Sequence, residues 1–339
     1  MGGMLFDPQV LADSLAETVG YKAGLTLSIT EMCDHLSGTD YPEIILASET
    51  QMVRLRAEEY EELFYKLLHR VGHTEEEFNG DITGVGLYHK YRGTPRAETH
   101  EKITELFVEM MPGLMEEAES KGSKLIDPTA YLTACFERCG RDGLELALER
   151  INALDRGMKL SPHSMTRYVD WRSPLELRAL FAGTTAEPER GTYIDQRFID
   201  YLAGNSEKLP HMHWRKFEEL TAEFFAREGY TVELGPGSND DGVDVRIWKP
   251  GQSPTDHPHC LIQCKRQKSK IERVVVKGLS ADVAFEGAHY GLIVTTSELS
   301  PGARHTISAR GYPIQEVDNG ALGSWLTKLR TPGTGIVRI

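Results

Sequence analysis

Glu218, Asp244, Gln263 and Lys265 are the residues of this chain whose types and spacing could do chemistry together. Hydrolysis of a phosphodiester needs a hydroxide-like nucleophile and neutralisation of the charge that builds on the phosphate oxygens. A bound Mg²⁺ meets both needs, because it lowers the pKa of its water and clamps the phosphate. Mg²⁺ takes hard oxygen ligands and keeps several waters. Asp244 and the Gln263 side-chain carbonyl supply such oxygens, and Glu218 adds a carboxylate directly or through water. Lys265 is left to bind the scissile phosphate and to orient, or help deprotonate, the attacking water.

These residues need elements that bring them together. Gln263 and Lys265 lie two apart in a predicted strand, 260–265, so they share a face while Cys264 turns the other way with Cys260 and Ile262. Asp244 opens a second predicted strand, 243–248, and a hairpin through the loop 249–259 would set it beside the pair. Glu218 falls on a helix expected from Trp214 to Glu228, ended by Gly229. Glu219 competes for its role, since one position rotates a side chain about 100° around a helix. Gly235 to Gly242 reads as a tight turn. Further strands are expected at 230–234, 290–295 and 313–317, with helices at 274–286 and after Ser300-Pro301. That order gives a mixed sheet flanked by helices. Taken singly, Asp244 could be a turn aspartate, Gln263 and Lys265 a solvated edge face, and Glu218 a helix-start acid; the joint pattern outweighs these readings. Arg266, Lys268 and Lys270 extend the same strand and are expected to follow a nucleic-acid backbone.

Residues from about 194 to 330 resemble the Mrr-like branch of the PD-(D/E)XK restriction-endonuclease superfamily. The resemblance is carried by Phe217-Glu218-Glu219-Leu220, Gly229-Tyr230, Asp240-Asp241-Gly242-Val243-Asp244, Gln263-Cys264-Lys265, Gly291-Leu292-Ile293-Val294-Thr295-Thr296-Ser297 and Ser300-Pro301-Gly302-Ala303. It implies Asp244 and Gln263-x-Lys265 as the core site, Glu218 as the helix carboxylate, and cleavage of DNA with Mg²⁺, for which Mn²⁺ can substitute. The glutamine where the wider superfamily has Asp or Glu is usual in this branch.

The rest of the chain is of another kind. At 339 residues there is room for two domains. The expectation is an α+β protein: a mainly helical acidic domain at 1–182, a linker at 183–193 and a nuclease domain at 194–339. Helical spacing is read over 51–70, where Met52, Leu55, Leu63, Phe64, Leu67 and Leu68 can share a face, and again over 99–119. Two more helices are expected: 144–154, ended by Gly157, and 173–181, with Ser173 as N-cap and Pro174 in the first turn. The net charge of −13 is uneven. Residues 210–339 hold 16 Lys and Arg against 15 Asp and Glu, a net of +1, and the totals of 38 and 51 leave 22 and 36, a net of −14, for residues 1–209. Phosphate binding depends on local charge, so the acidic total does not exclude it.

The acidic helical part shows no basic recognition helix, so a modified-base reader is not carried over from the family. A regulatory, sensing or oligomerising module is expected instead. A homo-oligomer, dimer or larger, follows from the two sites that double-strand cleavage needs. A defence-system partner protein or a small-molecule activator is a further candidate. The competing reading is a nuclease-fold DNA-binding or scaffold subunit of a multi-protein defence complex. No run of about 18 apolar residues occurs and the first residues lack a secretory pattern, so a cytoplasmic protein with no membrane association is expected. The five sparse cysteines agree with a reducing compartment; Cys135 and Cys139 read as thiols on a helix face.

Overall fold

A computed structural model of the chain describes residues 3–78, 80–81, 84–123, 126–166, 171–183, 187–237 and 242–330. Contacts divide it into two compact units. One holds Arg56–Tyr65 and Phe78–Tyr168; the other holds Gly2–Leu55, Lys66–Glu77 and Val169–Ile339.

The chain begins with β1 (Gly3–Phe6), α1 (Val10–Ala23), β2 (Leu25–Thr26), α2 (Ile29–His35), α3 (Tyr41–Ser48), β3 (Val53–Arg56) and α4 (Ala57–Arg70). β3 pairs with β1. The helix expected from position 51 therefore starts at Ala57. In Val53-Arg54-Leu55-Arg56 the burial alternates, with Leu55 inside and both arginines outside, and this two-residue period overrides the helical spacing locally. From Ala57 onward the expected face holds, with Leu63, Phe64, Leu67 and Leu68 buried.

Next come α5 (Val85–Tyr91), α6 (Ala97–Ser120) and α7 (Thr129–Leu160). α6 and α7 pack around Ile103, Leu106, Tyr131, Cys135, Leu146 and Ala147. α7 is two helices joined at Gly140, whose φ of 64° is open to glycine. The helix expected at 144–154 is its second part and runs on to Leu160. Gly157 is buried within it and does not end it. A glycine there costs about 1 kcal/mol, which the full burial of Leu160 offsets.

β4 (Leu175–Glu176) and α8 (Ala179–Ala182) replace the helix expected over 173–181. The N–H groups of Leu175 and Leu177 donate to the carbonyls of Gly24 and Thr26, at 2.8 and 3.0 Å, in a parallel pairing of β4 with β2. A partner strand thus took the backbone donors that a first helical turn would have left free. Of the expected linker, positions 184–186 lie outside the described residues.

α9 (Gln196–Gly204) and α10 (Trp214–Arg227) lead into the sheet. Asp195 caps α9 by accepting from the Arg197 N–H. The Arg197 guanidinium returns two bonds to Asp195, at 2.8 and 2.9 Å, and donates to the carbonyls of Gly24 and Ser173, at 3.2 and 2.9 Å. One buried side chain thereby ties α9 to the end of α1 and to the entry of β4.

The sheet contains β5 (Thr231–Leu234), β6 (Val245–Trp248), β7 (Cys260–Lys265), β8 (Tyr290–Thr295) and β9 (Ile314–Val317), in that spatial order. β5, β6 and β7 are antiparallel; β7, β8 and β9 are parallel. A helical N-terminal region is thus followed by a five-stranded mixed sheet with helices. α11 (Arg273–Glu286) and α12 (Pro301–Arg310) connect the parallel strands, and α13 (Asn319–Leu329) follows β9. On one face Leu261 and Ile293 pack with Val276, Leu279 and Val283 of α11. On the other, the Cys264 thiol meets Thr221 of α10 at 3.4 Å. β8 is buried on both faces, as a strand between parallel neighbours must be. Its Gly291 leaves space that a Cβ would fill 2.7 Å from Ile314 and 2.9 Å from Leu279. No helix among the described residues is long and apolar enough to cross a membrane.

Candidate active site

Asp244 stands one residue before β6. Its N–H donates to the Ile262 carbonyl at 2.9 Å and its carbonyl accepts from Gly235 at 2.8 Å. Val245 pairs with Ile262, so one further step of that register sets Asp244 opposite Gln263. The Cys264 N–H donates to Asp244 Oδ2 at 2.6 Å. The carboxylate is therefore fastened to the peptide that joins Gln263 to Cys264, with Lys265 one residue beyond.

Glu218 reaches this point from α10. Its carboxyl hydrogen-bonds that of Asp244, and its Oε2 accepts from Arg215 Nη1 at 2.9 Å. Burial, then the Asp244 charge, push Glu218 up to about 7, against the pull of Arg215. Arg215 also donates to the Gly235 carbonyl at 2.7 Å, so it positions both the helix carboxylate and the chain entering the turn. Glu219 turns elsewhere and pairs with the buried Lys216 at 2.7 Å. The structure thus brings Glu218, and not Glu219, to Asp244.

Gln263 Oε1 is buried with no hydrogen-bond partner among the described residues. Its Nε2 lies where a Cβ on Gly242 would come within 2.9 Å, and Gly242 has φ 89°, so glycine alone lets the chain pass there. Lys265 ends β7 half-buried, and its ammonium has no ion pair or hydrogen bond among the described residues. Its carbonyl is held by Thr295 Oγ1 at 2.8 Å and by the Thr296 N–H at 3.3 Å. These two threonines set the direction in which the chain leaves the strand.

The basic run is less uniform. Arg266 donates to the Pro210 carbonyl at 3.2 Å, and Lys270 pairs with Glu298 at 2.7 Å. Lys268 keeps its side chain uncommitted among the described residues. Asp240 and Asp241 of the sequence motif lie outside those residues. Among the described residues no three His, Cys, Asp or Glu side chains converge. The oxygen donors on hand are two touching carboxylates, one raised by the charge of the other, and a buried amide oxygen without a donor. That set fits a hard divalent cation, which would satisfy the amide oxygen and remove the repulsion within the pair.

Sequence reading missed Arg215 and the Cys264 N–H. The first had a signal, its position three residues before Glu218 on the same helix. The second had none, since every residue but proline offers that donor.

Residues 209–326 match the family model described as a restriction endonuclease, the Mrr catalytic domain. An uncharacterized protein of Sinorhizobium fredii, y4cE, is 30% identical over 95 residues, covering 28% of this chain and 24% of that protein. Among solved structures, the MspJI restriction endonuclease in complex with a 27-mer oligonucleotide is similar at 17% identity with a TM-score of 0.29, over 56% of this chain and 46% of the other. The chain thus spans about a quarter of its curated relative and just under half of the solved one. Over residues 209–326, this chain carries a restriction endonuclease domain of the Mrr catalytic family.

Proposed function

We propose that the chain is a Mg²⁺-dependent DNA endonuclease, a restriction or anti-phage defence effector controlled by its helical region 1–182. The observation that carries this reading is the contact of Glu218 with Asp244, itself bonded to the peptide between Gln263 and Cys264. Asp244, Glu218 and the Gln263 carbonyl oxygen would hold the metal. Bound there, the cation supplies an acidic water and polarises the phosphodiester. Lys265, whose ammonium has no counter-ion among the described residues, binds a phosphate oxygen and orients the attacking water. Lys268 and Arg266 follow the backbone beyond the scissile bond, with Lys270 joining them when DNA competes with Glu298. Cleavage of both strands asks for two such sites, hence for at least a pair of chains.

Plasmid incubated with the purified protein tests the proposal. Cleavage is expected with Mg²⁺ or Mn²⁺, none with chelator, and a loss of about 10²- to 10³-fold in Lys265→Ala. Persistent nicking by Lys265→Ala would sink the assignment. DNA binding without cleavage under every metal tried would favour a scaffold role. The two glutamates separate in the same assay. Glu218→Gln is expected to lower the cleavage rate about a hundredfold. Glu219→Gln is expected to leave the rate near that of the wild type and to lower thermal stability, because Lys216 is then buried beside a neutral partner.

Metal binding should also appear without turnover. Glu218 ordinarily titrates near 4.5 and is held at about 7 in the fold. Between those values the folded chain binds more protons than the unfolded one, so this group's contribution is present at low pH and is lost as pH rises through about 7. Thermal melts in chelator are expected to show that fall, and added Mg²⁺ to raise the melting temperature more at pH 8 than at pH 6. Equal shifts at both pH values would remove Glu218 from the ligand set.

A further inference from the structure

A cavity of about 830 Å³ lies among α5, α6 and Arg150 of α7, within the helical unit. That volume suits a small organic molecule, for which pockets run from about 300 to about 1,000 Å³. Apolar side chains that would ordinarily be covered gather here: Val85, Tyr88 and Val108 line it, and Val108 is 68% exposed. Tyr91 and His100 stack at 5.4 Å and give it an aromatic wall.

Arg150 is the anomaly of this wall. It is 7% exposed. Its Nη1 donates to Thr104 Oγ1 at 3.1 Å, and its guanidinium stands 4.7 Å from the centre of the Phe107 ring. No carboxylate pairs with it among the described residues, and its Nε is buried without an acceptor. The neighbouring His100, 5% exposed, has a buried Nε2 that is equally unpartnered. The Asp81 carboxylate acts on Arg150 only through space, and a guanidinium taken from water without a paired counter-ion is costly. Phe107 and one hydroxyl do not offset that cost. An anion entering the cavity would supply the missing partner, in a geometry suited to a carboxylate or sulfonate.

The charge around the cavity narrows the ligand further. Glu101, Glu105 and Glu109 line it at four-residue spacing on α6, against Arg92 and Arg150. Such a lining repels a polyanion and tolerates a single negative charge placed on Arg150. We propose that this cavity binds a small organic monoanion with a planar aromatic body, its charge on Arg150 and its ring against Tyr88 and Tyr91. The proposal does not depend on the nuclease reading.

Anilinonaphthalene sulfonate, a monoanion with a planar naphthalene ring, is the probe, titrated into the full chain by fluorescence and calorimetry. One site per chain with micromolar affinity is expected, competed by benzoate and not by acetate or ATP. Arg150→Met, which keeps the apolar stem, is expected to bind at least about tenfold more weakly. Its ligand-free melting temperature is expected to equal or exceed that of the wild type, because a buried charge without an ion pair has gone. Val108→Trp, which fills the mouth from an exposed position, is expected to lose binding with no change in melting temperature. Unchanged affinity in either variant overturns the proposal. So does binding lost in Arg150→Met together with a lower melting temperature while Val108→Trp still binds, since Arg150 would then be a strut between helices.

Discussion

Asp244→Ala is expected to remove at least about three orders of magnitude from metal-dependent DNA cleavage. The Asp244 carboxylate accepts from the Cys264 N–H, touches Glu218 and sits opposite Gln263. In the proposed mechanism it holds the ion that stabilises charge on the phosphate, a contribution of several kcal/mol, and about 4 kcal/mol corresponds to a thousandfold in rate. Asp244→Asn refines the test. It keeps an oxygen for the Cys264 N–H and deletes the charge that raises Glu218. This variant is expected to lose nearly as much activity while melting higher than the wild type in metal-free buffer at pH 8. Stability gained where activity is lost is the mark of a site built for a ligand. Single-turnover cleavage beside thermal melts checks both halves. An Asp244→Asn protein that is less stable than the wild type would mean that the aspartate serves the fold alone.

Arg197→Ala is expected to destabilise the larger unit by about 3 to 5 kcal/mol, the cost of leaving a buried partner unpaired. Arg197 is 3% exposed and spends its donors on Asp195, Gly24 and Ser173. Burial alone would raise Asp195, yet its bonds to Arg197 outweigh that and hold the carboxyl below its usual range. The pair therefore contributes stability above the ordinary aspartate pKa and loses it as pH falls through the lowered value. Removal of the guanidinium leaves a buried carboxylate without its counter-ion and takes this donor from the Ser173 carbonyl, while the Gly24 carbonyl keeps the Leu175 N–H. Arg197→Lys is expected to recover only part of the loss, because an ammonium cannot bridge the carboxylate and both carbonyls at once. Urea melts of the three proteins measure the difference. A shift below about 1 kcal/mol in Arg197→Ala would show that water fills the gap without penalty.

The sheet was legible because its strands carry strong local signals. Tyr290–Thr295 is an apolar run between turn residues, and Gln263-Cys264-Lys265 has the alternation of a strand with one polar face. Ser300 was readable as a helix cap, and it accepts from the Ala303 N–H at 3.2 Å. Short pairings in the first part of the chain were not readable. Leu175 and Glu176 look like the first turn of a helix until Gly24 and Thr26 are placed beside them, and no local pattern announces a partner 150 residues away. The same limit applied to α13, whose small residues carry little helical pattern, although its end accepts from Gln196 of α9 at 3.0 Å. Within the site, periodicity placed Gln263 and Lys265 on one face. The choice between Glu218 and Glu219 needed the helix phase, which packing decides.

The Cys264 N–H that fastens Asp244 has a genetic consequence. A side-chain anchor can be lost through most single-codon changes, whereas a main-chain donor survives every substitution but proline. Position 264 is thus free to drift among residues small enough to lie against Thr221, with alanine, serine and valine as neutral neighbours of the present cysteine. Selection acting on the site would leave that codon variable between two positions it holds constant. A collection of functional variants should show diversity at 264 flanked by glutamine and lysine, with proline absent.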